Sequence, residues 1–533
     1  MRLPLRVVIL GFAAGVLLSC GRNQTPNSVP ARSPSLRLYV LASVAGAMEP
    51  CGCVSNMLGG IDHAAALVER GTREAPNSLV VAAGPIWFEN PALEPKARTQ
   101  HVWKAEVLAA GLAQLKLMAW APAANDWAAG APELERLSQR ARANVLAGNL
   151  AGSSAGAIAS RILERDGYRI GLAGISLPLR RGQPPSGVRI EGAGESLERS
   201  LAELRRKGAQ ILVALVAAPR GEALRLAEKV PGFHVMVVGK PYDEGESNDS
   251  ATPPVLIGST LVVQPENHLQ AISVVDFFVQ ESGFKFLDGS NIQQEQQRLS
   301  LQQRIRELES RLDDWKRHPD SVNQRDVQAR QKDLEQLREQ LSKLSGPVIP
   351  SNESFFTYGH EPVRAELGSH SGIAAELRAY YRRVNQHNRE AFKDHRPQPA
   401  GESESSYIGI EKCSSCHAEE RKFWNTTAHF KAYATLANQD KQYNLDCVGC
   451  HVTGYEKPGG STVTFVEALK DVQCESCHGP GSRHLGEPTN RKFIVSRPQR
   501  SLCAASCHYP PHVHDDWDVN QAWKGIIGPG HGG

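Results

Sequence analysis

The chain has 533 residues, too many for one domain and enough for about three or four units of ordinary size. Charged residues make up 22% and the formal net charge is +3, a balance that excludes the basic excess of a nucleic-acid-binding protein. The eleven cysteines fall into groups: Cys20, the pair Cys51 and Cys53, and four pairs from Cys413 onward. A disulfide-stapled secreted fold would spread them more evenly.

Residues 1–19 read as a targeting segment rather than as fold. Arg2 and Arg6 precede an apolar run, Val7 to Leu18, that is too short to span a bilayer. It ends in Leu17-Leu18-Ser19-Cys20, which resembles the lipobox of bacterial lipoproteins. The resemblance implies cleavage before Cys20, acylation of that cysteine and attachment to a membrane; several acyl chains anchor firmly where one is marginal. The alternative is a plain secretion signal with an incidental cysteine. Residues 20–35, rich in Pro, Ser and Asn, are expected to be a tether.

Over residues 36–290, short β-rich runs alternate with helical stretches, which argues a layered α/β domain. The expected strands are Leu36–Ser43, Ser78–Ala82, Arg169–Gly174, Gln210–Leu215, His234–Val238 and Leu256–Val263, with helices such as Gly194–Lys207 and Glu222–Lys229. Residues 291–346 differ. Leu301, Ile305, Leu308, Leu312 and Trp315 alternate spacings of four and three, and Val327, Leu334, Leu337, Leu341 and Leu344 resume the seam after His318-Pro319. That predicts an antiparallel helical hairpin with coiled-coil packing, serving as a rigid spacer or as a docking arm. Residues 347–406 are expected to be a helical connector and linker, with one helix over Ala374–Phe392, and residues 407–533 a last, mainly helical domain.

That last domain carries the chemistry. Cys413-Ser414-Ser415-Cys416-His417, Cys447-Val448-Gly449-Cys450-His451 and Cys474-Glu475-Ser476-Cys477-His478 are C-x-x-C-H motifs, the signature of c-type haem attachment. Two thiols must reach the two vinyl groups of one porphyrin, and positions i and i+3 of a helical turn share a face. The adjoining histidine then meets the iron as proximal ligand. Zinc would not require histidine directly after the second cysteine each time. Cys503-Ala504-Ala505-Ser506-Cys507-His508 has one more residue between its cysteines; an i, i+4 pair still shares a face, so a fourth haem is expected, with a disulfide as the alternative. Nine of the eighteen histidines lie beyond residue 406. Those outside the motifs are candidates for the distal iron position: His429, His484, His531 and His512, of which His512 or its neighbour His514 is expected to be merely exposed. His360, His370 and His387 lie just upstream.

From about Ile410 to His531 the chain resembles the multihaem c-type cytochromes typified by the tetrahaem electron acceptor of hydroxylamine oxidoreductase. The stretches that carry this are Cys413–His417 with Phe423-Trp424 and Ala428-His429, Cys447–Tyr455 with Lys457-Pro458-Gly459-Gly460, Val472–Gly481 with His484, and Trp523 to Gly532. The resemblance implies a mostly helical, haem-packed domain with haems close enough for electron hopping, one of which can be five-coordinate, and it matches His429 to a distal ligand.

Residues 36 to about 279 resemble the metallophosphoesterase domain of the 5'-nucleotidase family. The matching stretches are Met48–Cys53 with Leu58-Gly59-Gly60, Ala82-Ala83-Gly84, Asn149-Leu150, Arg169–Gly174 and Gly232–Gly239. The metal ligands that the family's pattern implies are replaced: Ser43 and Ala45 stand at its Asp-x-His, Pro85 at its bridging Asp, Ala124-Asn125 at its Asn-His, Ala217 at a later His, and Lys240 and Tyr242 at its final His-x-His. Such side chains do not ligate hard divalent ions, and a two-metal clamp needs both sites. A pseudoenzyme domain is therefore expected, with Asp62, His63, Asn125 and Asp126 as polar survivors near the cleft. Cys51 and Cys53 read as a short disulfide in an oxidising compartment, with a metal or redox role and free thiols as alternatives. The expectation is an electron-transfer protein outside the cytoplasm, in the periplasm or at the cell surface, carrying four haem c groups and serving an unidentified redox partner protein. The rival readings are an oxidoreductase acting on a small nitrogen or sulfur compound at an open haem, a rebuilt phosphoesterase, and a scaffold with structural haems.

Overall fold

The computed structural model describes residues 33–50, 58–152, 154–179, 183–243, 251–317, 323–344, 352–509, 512–513 and 517–531. Cys20, Cys51, Cys53 and His514 lie outside them. Two sheets stack face to face. The first has seven strands in the order Leu287–Asp288, Phe355–Pro362, Ala271–Phe278, Leu36–Ala42, Ser78–Ala83, Leu117–Ala121, Asn144–Val145. The last four run parallel, and Ala271–Phe278 is antiparallel to Leu36–Ala42 with Val275 opposite Leu38. The second sheet has six strands: Val255–Ile257, Thr260–Val263, Val235–Gly239, Ile211–Ala217, Tyr168–Ser176 and Ser160–Arg165.

Strand alternation decides the layering, since successive side chains face opposite sides. Leu36, Leu38 and Val40 meet Leu79, Val81, Ile170, Val213 and Val235 between the sheets. Tyr39 and Leu41 face the other way, onto helices Ile61–Glu74, Arg98–Gln114 and Ser371–Ala391. Leu197, Leu201 and Leu226, from helices Ala193–Arg206 and Arg220–Lys229, cover the outer face of the second sheet. The result is a helix–sheet–sheet–helix domain. Each fully buried large aliphatic side chain stabilises it by roughly 1.5–3 kcal/mol.

Several elements differ from expectation. The single strand expected over Leu256–Val263 is an antiparallel pair, Val255–Ile257 and Thr260–Val263, because Gly258 turns the chain at φ 59°. Leu117–Ala121 and Ala271–Phe278 were not expected as strands; both are buried nearly throughout, so no polar alternation marks them. The connector over 347–406 is not purely helical. Its Phe355–Pro362 stretch is a strand paired with Ala271–Phe278, Phe356 lying opposite Phe277. Burial of the β-favouring Phe355 and Phe356 drives this, and the α/β domain therefore continues beyond residue 290. The two helices Ile292–Arg317 and Gln324–Ser342, joined along Leu301, Ile305, Leu312, Leu334 and Leu337, interrupt the sheet rather than follow it.

From residue 407 onward the described chain forms only short helices, such as Ile410–Ser414, Ala418–Trp424, Ala432–Ala437 and Val519–Lys524, and no strand. The molecule is thus multidomain: the sandwich, the inserted helix pair and a helical C-terminal segment.

Trp120 is fully buried and meets Trp87 edge-on at 5.2 Å. Trp120→Ala should cost about 3–5 kcal/mol of sandwich stability, measured by denaturant unfolding.

Candidate functional site

Each cysteine pair sits on a helical turn, as two thiols reaching one porphyrin require. In the first two motifs the turn closes by i to i+3 bonds, Cys416 N–H donating to Cys413 O at 3.2 Å and Cys450 N–H to Cys447 O at 3.3 Å. The third motif is the helix Cys474–His478. In the fourth, the extra residue is absorbed by an α-helical bond from Cys507 N–H to Cys503 O at 3.1 Å, which keeps both thiols on one face. Among the described residues, no disulfide joins any of these eight cysteines. The second motif meets the fourth, Cys450 Sγ lying 3.9 Å from the carbonyl oxygen of Ser506, the residue before Cys507.

The histidines are held from behind. His451 Nδ1 lies 2.5 Å from Ala432 O and His478 Nδ1 2.7 Å from Val495 O. His531 Nδ1 lies 3.1 Å from both Gly528 O and Pro529 O. A carbonyl only accepts, so each Nδ1 carries the proton and Nε2 keeps its lone pair. Burial lowers the pKa of His429, His451, His478 and His508, which favours the neutral ring that ligates iron. The ring centres of His429 and His508 are 6.4 Å apart, and those of His478 and His531 are 5.9 Å apart. Two imidazoles bonded through nitrogen to one metal at about 2 Å each have ring centres roughly 6 Å apart. His508 also stacks on Trp517 at 4.9 Å. His484 has a buried Nδ1 with no hydrogen-bond partner, and His417 Nδ1 lies 3.9 Å from Glu420. His512 packs on Tyr509. The upstream histidines are engaged elsewhere: His360 with Glu266 at 3.3 Å, His370 capping Ser371–Ala391, and His387 against Trp103.

Other residues became visible only with the fold. Glu475, an interior residue of the third motif, is 2% exposed; its carboxylate accepts the backbone N–H groups of Ile408, Gly409 and Gly481 at 2.7–3.1 Å. Gln473 accepts Ile410 N–H at 2.7 Å. These two tie the first motif to the third, and nothing local in the sequence distinguishes them from surface polar residues.

Residues 412–479 match the family described as cytochrome c554 and c-prime. Cytochrome c-554 of Nitrosomonas europaea is 39% identical over 101 residues, covering 16% of this chain and 43% of that protein. The chain thus spans less than half of that relative. The C-terminal segment is a haem-binding c-type cytochrome, and its thiol pairs and carbonyl-backed histidines fit haem c. Structures similar to the sandwich include a 5'-nucleotidase precursor from Thermus thermophilus (TM-score 0.44, 17% identity, 66% of this chain and 59% of that one). They also include the sulfate thiohydrolase SoxB of the same organism (TM-score 0.43, 14% identity, 74% and 69%).

At the carboxyl ends of the sandwich strands, the residues expected to replace metal ligands are packed. Ser43 Oγ donates to Lys240 O at 3.0 Å. Tyr242 is buried edge-on to His268 at 4.8 Å, and burial, helped by Lys104, Lys240 and His512, pushes His268 down to about 4. The four polar survivors are tied to structure. Asn125 donates to the carbonyls of Glu89 and Tyr242. Asp62 accepts the Ser369 hydroxyl at 2.5 Å, and His63 Nδ1 donates to Gly368 O at 2.6 Å. Asp126 is fully buried and accepts the N–H groups of Ile86, Trp87 and Ala123 at 2.7–2.8 Å. Burial pushes its carboxyl up to about 7 against those three donors. Asp126→Asn turns an NH₂ toward one of them and should cost about 1–3 kcal/mol, read from thermal unfolding.

Proposed function

We propose that this chain is an extracytoplasmic, lipid-anchored carrier of electrons holding four haem c groups and exchanging electrons with a partner protein. The observation that carries the reading is the spacing of two histidine pairs, His429 with His508 and His478 with His531, at the separation two ligands of one iron require. In this reading Cys413/Cys416, Cys447/Cys450, Cys474/Cys477 and Cys503/Cys507 form the thioethers. His417, His451, His478 and His508 are the proximal ligands, His429 and His531 are distal, and His484, whose Nδ1 is buried without a hydrogen-bond partner, serves a further iron. Haem c, when bound, supplies one-electron redox chemistry. The chain's own part is to hold imidazole orientation through Nδ1–H bonds to carbonyls, which makes Nε2 more basic toward iron, and to keep the sites close together through motif–motif contacts. Cys20, at the end of the apolar leader, supports attachment to a membrane as a lipoprotein facing the periplasm or cell exterior.

Mass spectrometry of tryptic peptides from the exported protein tests the count: each motif, including Cys503–His508, should carry one haem, and a bare disulfide there would reduce the number to three. His429→Ala should convert one low-spin iron to high-spin in EPR while all haems stay attached. An unaltered spectrum removes the proposed pairing. A high-spin iron in the unmutated protein that binds cyanide or nitrite would favour an oxidoreductase instead.

The sandwich is proposed to be catalytically silent as a phosphoesterase, because Ser43, Ala45, Pro85, Ala217, Lys240 and Tyr242 occupy the ligand positions. Purified protein supplied with manganese should hydrolyse no nucleotide or sugar phosphate; metal-dependent turnover would contradict this.

A further inference from the structure

The second haem motif differs from the others in what surrounds it. The segment leading into Cys447 sends its hydrogen bonds out of the cytochrome segment. Leu445 N–H donates to Gln100 Oε1 at 3.0 Å, and Gln100 Nε2 donates to Asn444 Oδ1 at 3.1 Å. Asn388 Nδ2 donates to both Gln100 Oε1, at 2.9 Å, and Tyr443 O, at 2.8 Å. Tyr443 N–H donates to Asn385 Oδ1 at 3.2 Å. Gln100, Asn388 and Asn444 are each at most 3% exposed. A buried polar network satisfied in this way fixes one arrangement of its parts.

Charges flank that network. Asp446, the residue before Cys447, receives His101 Nε2 at 2.9 Å and Lys104 Nζ at 3.4 Å. Glu49 receives Lys441 Nζ at 2.6 Å and the Tyr381 hydroxyl at 2.5 Å. Gln100, His101 and Lys104 all belong to the sandwich helix Arg98–Gln114.

We propose that the sandwich domain forms a wall of the site at Cys447–His451 and sets the reduction potential of the haem there, through the carboxylate of Asp446 clamped between His101 and Lys104. This rests on the reading that Cys447, Cys450 and His451 hold haem c. A neighbouring carboxylate favours the more positive, oxidised iron and a neighbouring ammonium disfavours it, an effect that solvent reduces here, since the Asp446 and Lys104 side chains keep 33% and 22% of their exposure. Asp446 and Lys104 are thus positioning residues with opposite signs, and the former phosphoesterase scaffold acts as an electrostatic regulator of one haem.

The test uses the full-length, haem-loaded protein, with spectroelectrochemical titration and peptide mass spectrometry on each variant. Asp446→Asn should raise the midpoint potential of one haem. Lys104→Met should lower that of the same haem, Lys104→Arg should restore it, and the other haems should not move. Unchanged midpoints at full haem content overturn the proposal, as do same-direction shifts in the Asn and Met variants or shifts spread over all haems. If Asp446→Asn fails to retain its haem, the Lys104 pair decides: no lowering in Lys104→Met overturns the proposal. A bare Cys447–His451 peptide from the unmutated protein overturns instead the haem reading beneath it.

Discussion

The C-terminal segment has very little hydrocarbon core of its own, and much of the architecture follows from that. Among the described residues its apolar cluster centres on Val448, Val452, Val463 and Val466, joined by partly buried Tyr433, Tyr443, Leu445 and Tyr455. Its helices run five to seven residues, far below the length at which an isolated helix is stable in water. A segment of this kind needs staples or a neighbour to hold its shape. Here Glu475 and Gln473 tie motif to motif, and the proposed haem attachments at the thiol pairs would be the covalent staples. The neighbour is the sandwich, met through Gln100, Asn388 and Asn444.

The sandwich shows the opposite economy. Its strands bury apolar side chains on both faces, so its fold tolerates replacement of polar residues at the strand ends. Ser43, Pro85, Lys240 and Tyr242 fill that edge without disturbing the layers, and Asp126 serves backbone donors. Function resides in sites carried by a fold rather than in the fold, so this layering by itself assigns the sandwich no task. Its Arg98–Gln114 helix meets the cytochrome segment next to Cys447, through Gln100, His101 and Lys104.

What the sequence disclosed was local. The C-x-x-C-H motifs need only five adjacent residues, and their chemistry is fixed by that spacing. The heptad seam from Leu301 to Leu344 and the runs at Leu36, Ser78 and Val235 were legible for the same reason. What escaped depends on residues far apart in the chain. Gln100 and Asn444 are 344 positions apart, and Phe355–Pro362 is a strand only because Ala271–Phe278 waits for it across the inserted helices. The approach of His429 to His508, with ring centres 6.4 Å apart, is likewise non-local, so spacing could nominate His429 without showing which histidine lies beside it. Glu475 looked like a filler position within its motif, because burial is a property of the folded neighbourhood and not of the pentapeptide.

If covalent haem replaces the missing core, the chain should be two-tempered. Hydrogen exchange followed by mass spectrometry, comparing protein made with and without a working cytochrome-maturation system, measures this directly. Haem-free protein should keep slow exchange over the strands from Leu36 to Phe278 while residues 407–531 exchange almost at once, and the haem-loaded protein should protect both. Equal protection of residues 407–531 in the haem-free chain would contradict the account.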